Sequence, residues 1–187
     1  MGGGVTIKLE GLGNVMEAFA ELENEIGDKK AQGKVLIPAV REALQPVLEQ
    51  ARSMAPVDTG ALSNTLIIEA RRPTKRDRRS KYITQTDTVI GLITTKAFPK
   101  KIKASFYKEN ENLYQTNKKQ FRKKFKELTK QLNFPYDARA IAQEFGSAHN
   151  PAHPYLRPAL EAQAQTTVNR LSEILARRIE QFRAKMK

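Results

Sequence analysis

The most regular hydrophobic pattern in the chain lies near its end, where Leu160, Ala164, Val168, Leu171, Leu175, Ile179, Phe182 and Met186 follow one another at intervals of four and three without exception. Residues three and four apart share one face of an α-helix, so this spacing predicts a long closing helix with a continuous apolar stripe. The spacing does not say whether that stripe meets the domain's own sheet or another subunit. A second stripe, Val15, Phe19, Leu22 and Ile26, predicts a first helix, opened by Asn14 and Glu17 as a capping box and closed at Gly27. A third, Leu36, Val40, Leu44, Val47, Ala51 and Met54, predicts helix from about Val35 to Met54. Pro46 lies inside it and clashes with the carbonyl four residues back, so a kink near residues 43–46 or two shorter helices are expected.

Alternation of period two replaces these stripes at Val5-Thr6-Ile7-Lys8-Leu9, which predicts a half-buried strand. Branched residues at 66–70 and 88–93 predict two more strands, joined by a basic stretch that reads as a hairpin arm or a mobile loop. Residues 95–134 lack regular turn signals and read as an insertion, helical in part from Gln115 to Leu132, where Phe121, Phe125, Leu128 and Leu132 recur at helical spacing. A short helix from Tyr136 to Phe145 then ends at Gly146, a glycine suited to a left-handed cap. The expected class is α+β: a small, mostly antiparallel sheet packed by N-terminal helices and a long C-terminal helix, in a single domain over residues 1–187 with a basic, partly helical insertion at about 95–134. A domain of roughly 150 residues buries about 68–70% of its unfolded surface, enough for a core without staples.

Charge changes this picture in the middle third. The 33 Lys and Arg against 20 Asp and Glu give a formal charge of +13. Arg71, Arg72, Lys75, Arg76, Arg78, Arg79 and Lys81 stand against Asp77 alone, a balance of +6. From Lys96 to Lys130 twelve basic residues, among them Lys100, Lys101, Lys103, Lys118, Lys119, Arg122, Lys123, Lys124 and Lys126, stand against three acidic ones, a balance of +9 that leaves the rest of the chain at −2. Such a local field attracts polyanions or acidic protein surfaces over about 8–10 Å, although a charge run can also be no more than a solvated face. Phe98, Phe106, Tyr107, Tyr114, Phe121 and Phe125 interleave the second run, either as stacking platforms for bases or as anchors of a small helical hairpin.

Several chemistries find no support. The chain has no cysteine, which removes disulfides, thiolate metal sites and cysteine nucleophiles. No stretch reaches the roughly 20 apolar residues of a membrane span, and the start lacks the apolar run of a secretory signal, so no membrane partner is expected. Met1-Gly2 with Thr6 matches a short myristoylation pattern. Asp58-Thr59-Gly60-Ala61 copies the active-site tetrapeptide of aspartic proteases, but it follows a helix and no glycine-rich flap is evident. A turn in which Pro56 stops the helix, Asp58 or Thr59 accepts from backbone amides and Gly60 takes a left-handed conformation fits better. His149 and His153 have metal-ligand spacing for a helix, yet Pro151 and Pro154 argue against helix there. No nucleophile–base pair is evident, so no catalytic, cofactor-binding or metal-binding residue is assigned and no enzyme is expected.

Two punctuated segments remain, Ala55 to Leu62 and Glu144-Phe145-Gly146 with Pro151 to Leu160, each joining a turn to a helix. In this order, with a long amphipathic helix outside each, they resemble the head-to-tail joining, or tail-completion, family of long-tailed bacteriophages, lambdoid tail components similar in role to the lambda minor tail protein Z. The resemblance covers Val5 to about Ile93 and Ile141 to Phe182. It rests on Pro56, Asp58, Thr59, Gly60, Leu62, Glu144, Phe145, Gly146, His153, Pro154, Leu156, Arg157 and Pro158, and implies fold-fixing and interface roles for them. It further implies a small α+β virion protein of the neck that binds itself as a ring, a hexamer by analogy, and contacts adjacent head-closure, tail-terminator or tail-tube proteins. The 95–134 stretch is longer than the strand and turn usual in that family. Its charge would face genomic DNA in the channel or acidic loops of a neighbouring ring. A nucleic-acid-binding protein acting through residues 71–130 is the alternative function.

Overall fold

In the computed structural model, residues 13–56, 60–132, 134, 137–148 and 150–186 are described; the expected strand at Val5–Leu9 lies outside them. Helix α1, Gly13–Ile26, opens one residue ahead of the expected cap, and the Asn14 side chain is also outside the described set. Its end is as expected. Gly27 takes φ 83° and its amide donates to Glu23 O at 2.8 Å, a left-handed stop that costs a glycine little.

The second helical stretch starts earlier than its stripe suggests. Helix α2, Asp28–Ala31, runs into a widened π turn, Gln32–Leu36, in which Ile37 N donates to Gln32 O five residues back. Pro38, which has no N–H for the Lys34 carbonyl, stands in the first turn of α3, Ile37–Ala43. The break expected at Pro46 is present: Leu44 turns with ψ near zero and α4, Gln45–Met54, follows as a separate helix. After α5, Ala61–Thr65, strands β1, Leu66–Arg71, and β2, Ile90–Thr95, form a two-stranded antiparallel sheet. Helices α6, Lys100–Glu109, α7, Glu111–Thr116, and α8, Lys118–Gln131, make the 95–134 region more helical than expected. Helix α9, Asp137–Phe145, and the 29-residue α10, Leu156–Ala184, complete an α+β fold.

The chain divides into two compact units, one of Met1–Gln50, Ile68–Ile93 and Arg157–Lys187, the other of Ala51–Ile67 and Thr94–Leu156. In the first, Ile174, Leu175 and Ile179 of α10 are buried with Phe19 and Leu22 of α1 and with Ala31, Val35, Leu36, Ala39 and Ala43. The closing stripe is therefore spent on the chain's own N-terminal helices, with Leu171 and Phe182 half-buried beside them. Only its two ends, Leu160 and Met186, stay exposed. Arg178 and Arg177 both reach Glu42 of α3, at 2.7 and 2.5 Å, and Arg183 reaches Glu25 of α1 at 2.8 Å. The Arg178 hydrogen bond, more than any other contact, holds the Glu42 carboxyl below its ordinary range. Half-exposed pairs of this kind contribute little each and act mainly on register.

On β2, Gly91 leaves room for the helices behind it. A Cβ there would lie 2.6 Å from Leu44 Cδ1 and 2.8 Å from Val40 Cγ1. Alanine gains about 0.4–1 kcal/mol through the unfolded chain, whereas overpacking costs about 1–3 kcal/mol, and the stiff Val40 cannot step aside. Gly91→Ala is therefore expected to lower stability by about 1 kcal/mol in urea unfolding. A variant as stable as the parent would show that this contact yields.

The second unit has an aromatic core. Phe98 meets Phe125 and Phe134 edge-on at 5.3 and 5.2 Å, and Phe106 meets Phe121 and Phe125 at 5.3 Å each. Ring pairs at such distances contribute about 0.5–1.5 kcal/mol beyond their burial. These phenylalanines pack on one another within residues 98–134.

Candidate functional site

The second of the two punctuated segments closes on itself around Glu144. Helix α9 ends at Gly146, where φ is 79° and a Cβ would meet Ala152 N at 3.1 Å and Asn150 O at 3.3 Å. Gly146 N donates to Ala142 O at 2.8 Å, Ser147 N to Asn150 O at 2.9 Å, and His153 N to Gln143 O at 2.7 Å. The chain is thereby folded back along the end of α9. This return brings the buried Glu144 under the start of α10, where its Oε2 accepts from Tyr155 N at 2.8 Å and from Leu156 N at 2.9 Å.

Those two amides belong to the group of N–H donors that a helix leaves unpaired at its N-terminus. A carboxylate there also meets the positive end of the helix dipole. Tyr155 is 1% exposed, and burial, with the Glu144 charge adding to it, pushes its hydroxyl up to about 12. Leu156, Arg157 and Pro158 form the first turn of α10, and Pro158 loses nothing there because its missing N–H would have no helical acceptor.

The first segment is described only in part, since Asp58 and Thr59, the first half of the tetrapeptide shared with proteases, lie outside the described residues. Gly60 takes φ 69° and leads into α5. Its carbonyl accepts from Asn64 N at 3.1 Å and Ser63 Oγ at 3.0 Å, and Leu62 is buried. Arg52 donates to Leu66 O at 2.8 Å, joining the end of α4 to the start of β1. The two segments come together at an open cleft of about 620 Å³, lined by Met54, Pro56, Gln143, Ala152, His153 and Pro154. Met54 is 40% exposed there, and Phe145 shows 66% of its surface. Among the described residues no three His, Cys, Asp or Glu side chains gather to hold a metal; His149 is outside them. Met54, Pro56, Ala152 and Pro154 give the cleft an apolar share of its lining, beside the polar Gln143 and His153.

The basic residues fall into two groups. In the arm between β1 and β2, the Arg71 guanidinium joins Asp77 and Glu69, each at 2.5 Å, and Thr74 N and Oγ1 donate to Asp77 at 2.7 and 2.6 Å. Arg71 holds the Asp77 carboxyl well below the usual carboxylate range, and Asp77 in turn raises Arg71. Arg72 donates to Gln32 Oε1 at 2.9 Å and to Lys29 O, and Arg78 to Thr84 O and to Asp87 O. These arginines brace the arm around a single turn of 3-10 helix, Asp77–Arg79. Lys75, Arg76, Arg79 and Lys81 are exposed.

In the helical region Lys100, Lys101, Lys103, Lys118, Lys119, Arg122, Lys123, Lys124 and Lys126 are all exposed. Lys100 and Lys101 open α6, and Lys118 and Lys119 open α8, with no acidic residue in either first turn. The helix dipole disfavours cations there, so helix stability does not account for their placement. Among the described residues no helix is long and apolar enough to cross a membrane. No protein-family model matches the chain, and no curated protein or solved structure is detectably similar to it.

Proposed function

We propose that the chain is a structural, non-enzymatic virion protein of a long-tailed phage neck, completing the tail at the head–tail interface through ring-type contacts with its own copies and with adjacent rings. The observation that carries this reading is that the two segments resembling the tail-completion family line one cleft, Pro56 from the first and His153 with Pro154 from the second. Glu144, from the same set of residues, ties the return of the chain to the last helix. Glycine and proline corners braced by a buried carboxylate make a surface of fixed shape, and a fixed shape is what a closed ring requires, since head-to-tail contacts close at one rotation only. The exposed cations would then meet an acidic neighbour or channel DNA, for which backbone attraction without sequence readout suffices.

Co-expression with the neighbouring neck and tail proteins, followed by light scattering and electron microscopy, tests this. Rings, or particles containing the chain, are expected. Met54→Glu places a charge on an exposed position of the cleft and is expected to reduce completed particles at least about tenfold, the factor that a loss of about 1.4 kcal/mol produces, while leaving thermal unfolding unchanged. A chain that stays monomeric and joins no particle would overturn the proposal.

A further inference from the structure

We infer that the helical region binds single-stranded nucleic acid, by taking one unstacked base into a notch between α6, α7 and α8. Asn117 caps α8 by accepting from Gln120 N at 3.0 Å, which sets Lys118, Phe121 and Arg122 within the opening turns of that helix. Phe121, 4% exposed, is the floor. Tyr107 and Tyr114 lean on it at 4.9 and 5.0 Å and stand 5.4 Å from each other, yet remain 37% and 43% exposed. The space they leave, about 270 Å³, is lined by these three rings with Lys118 and Arg122. Lys103 Nζ stands 5.9 Å from the Tyr107 ring and Lys118 Nζ 6.0 Å from the Tyr114 ring.

Three aromatic walls beside two cations, with no carboxylate in the lining, favour a flat ring that carries an anion. The volume is below the roughly 300–1,000 Å³ of sites that enclose a whole small molecule, which suits a single base with its phosphate left outside on Lys118 and Arg122. Base–aromatic stacking of this kind tolerates any sequence, because every base has a π face. Duplex DNA keeps its bases stacked and must first flip one out, at a cost of a few kcal/mol, so single strands are preferred. An acidic peptide would satisfy the cations and leave the ring faces unused. The site stands on this unit alone and goes beyond the role in assembly.

The chain has no tryptophan, and two of its five tyrosines stand in the notch, so part of its tyrosine emission reports on that site. Titration of the full chain with short oligothymidylate, oligouridylate, a duplex of equal length and polyglutamate should show quenched tyrosine emission with both single strands and binding of the duplex at least about tenfold weaker. Tyr114→Leu is expected to weaken single-strand binding about tenfold, the scale of one stacked base, at an unchanged salt slope. Arg122→Gln should instead reduce that slope by about 0.7, one phosphate contact on a single strand. Should Tyr114→Leu lose its helical circular dichroism, quenching of the unaltered chain by single strands and not by duplex decides the matter. Equal affinity for duplex or polyglutamate, or a folded Tyr114→Leu that binds like the parent, would overturn the inference.

Discussion

Leu175→Ala is expected to destabilise the protein by about 2–5 kcal/mol, the range for emptying a leucine site in a core that relaxes only in part. Leu175 has no exposed surface and sits among Ile174, Ile179, Leu22 and Val35. For a chain of this length each kcal/mol lowers the melting temperature by roughly 2–4 °C, so the shift should be large in a thermal scan. Leu160→Ala, in the same stripe of α10 but 47% exposed, should move stability by no more than about 0.5 kcal/mol. Similar effects at both positions would show that α10 does not bury the middle of its stripe in this core. A charged substitution at Leu171, packed against the same cluster, reports on folding before it reports on assembly.

The elements legible in the sequence were those whose burial has a period. Val15, Phe19, Leu22 and Ile26 outline α1 because every fourth or third position meets one core. The break after Ala43 follows from Pro46 alone, and the stops at Gly27 and Gly146 from a backbone conformation that glycine takes without strain. A period shows that a face is buried and not against what, so the seating of α10 on α1 to α3 rather than on the sheet needed the structure. Helices α6 and α7 were missed for a different reason. Their core is a set of rings supplied by Phe98, Phe106, Phe125 and Phe134 from separate stretches, which leaves no stripe within either helix.

At the candidate site the sequence did not show how the residues are joined. Local capping rules look about three residues from a helix start. Glu144, singled out by the resemblance alone, stands 11 and 12 residues before the amides it accepts from, so local spacing does not reveal the bond. The bracing of the arm by Arg72 on Gln32, 40 residues away, is invisible for the same reason. The alternation of cations and aromatics across 98–125 left two readings open, stacking platforms or hairpin anchors. What it could not show is the division of labour between phenylalanines that build the core and two tyrosines that remain half in solvent.

Glu144→Ala is expected to cost about 2–4 kcal/mol and to loosen the start of α10 before the rest of the fold. The substitution strips a buried acceptor from Tyr155 N and Leu156 N, and each buried donor left unpaired costs about 1–3 kcal/mol. It also removes a negative charge from the positive end of a 29-residue helix, a contribution of up to about 2 kcal/mol in partly buried geometry. Relief from desolvating the carboxylate offsets part of the sum, which keeps the expected loss below the total. Glu144→Gln retains an oxygen acceptor without the charge and should fall between the parent and the alanine variant. Amide hydrogen exchange resolves the mechanism: protection at Tyr155 and Leu156 should drop in Glu144→Ala while protection at Leu175 and Ile179 falls only with global stability. Unchanged exchange at the two capped amides would show that the carboxylate is not what holds the corner. If they do open, the cleft rim at His153 and Pro154 loses its hold on α9, and on the proposed function completed particles should fall with it in the co-expression assay.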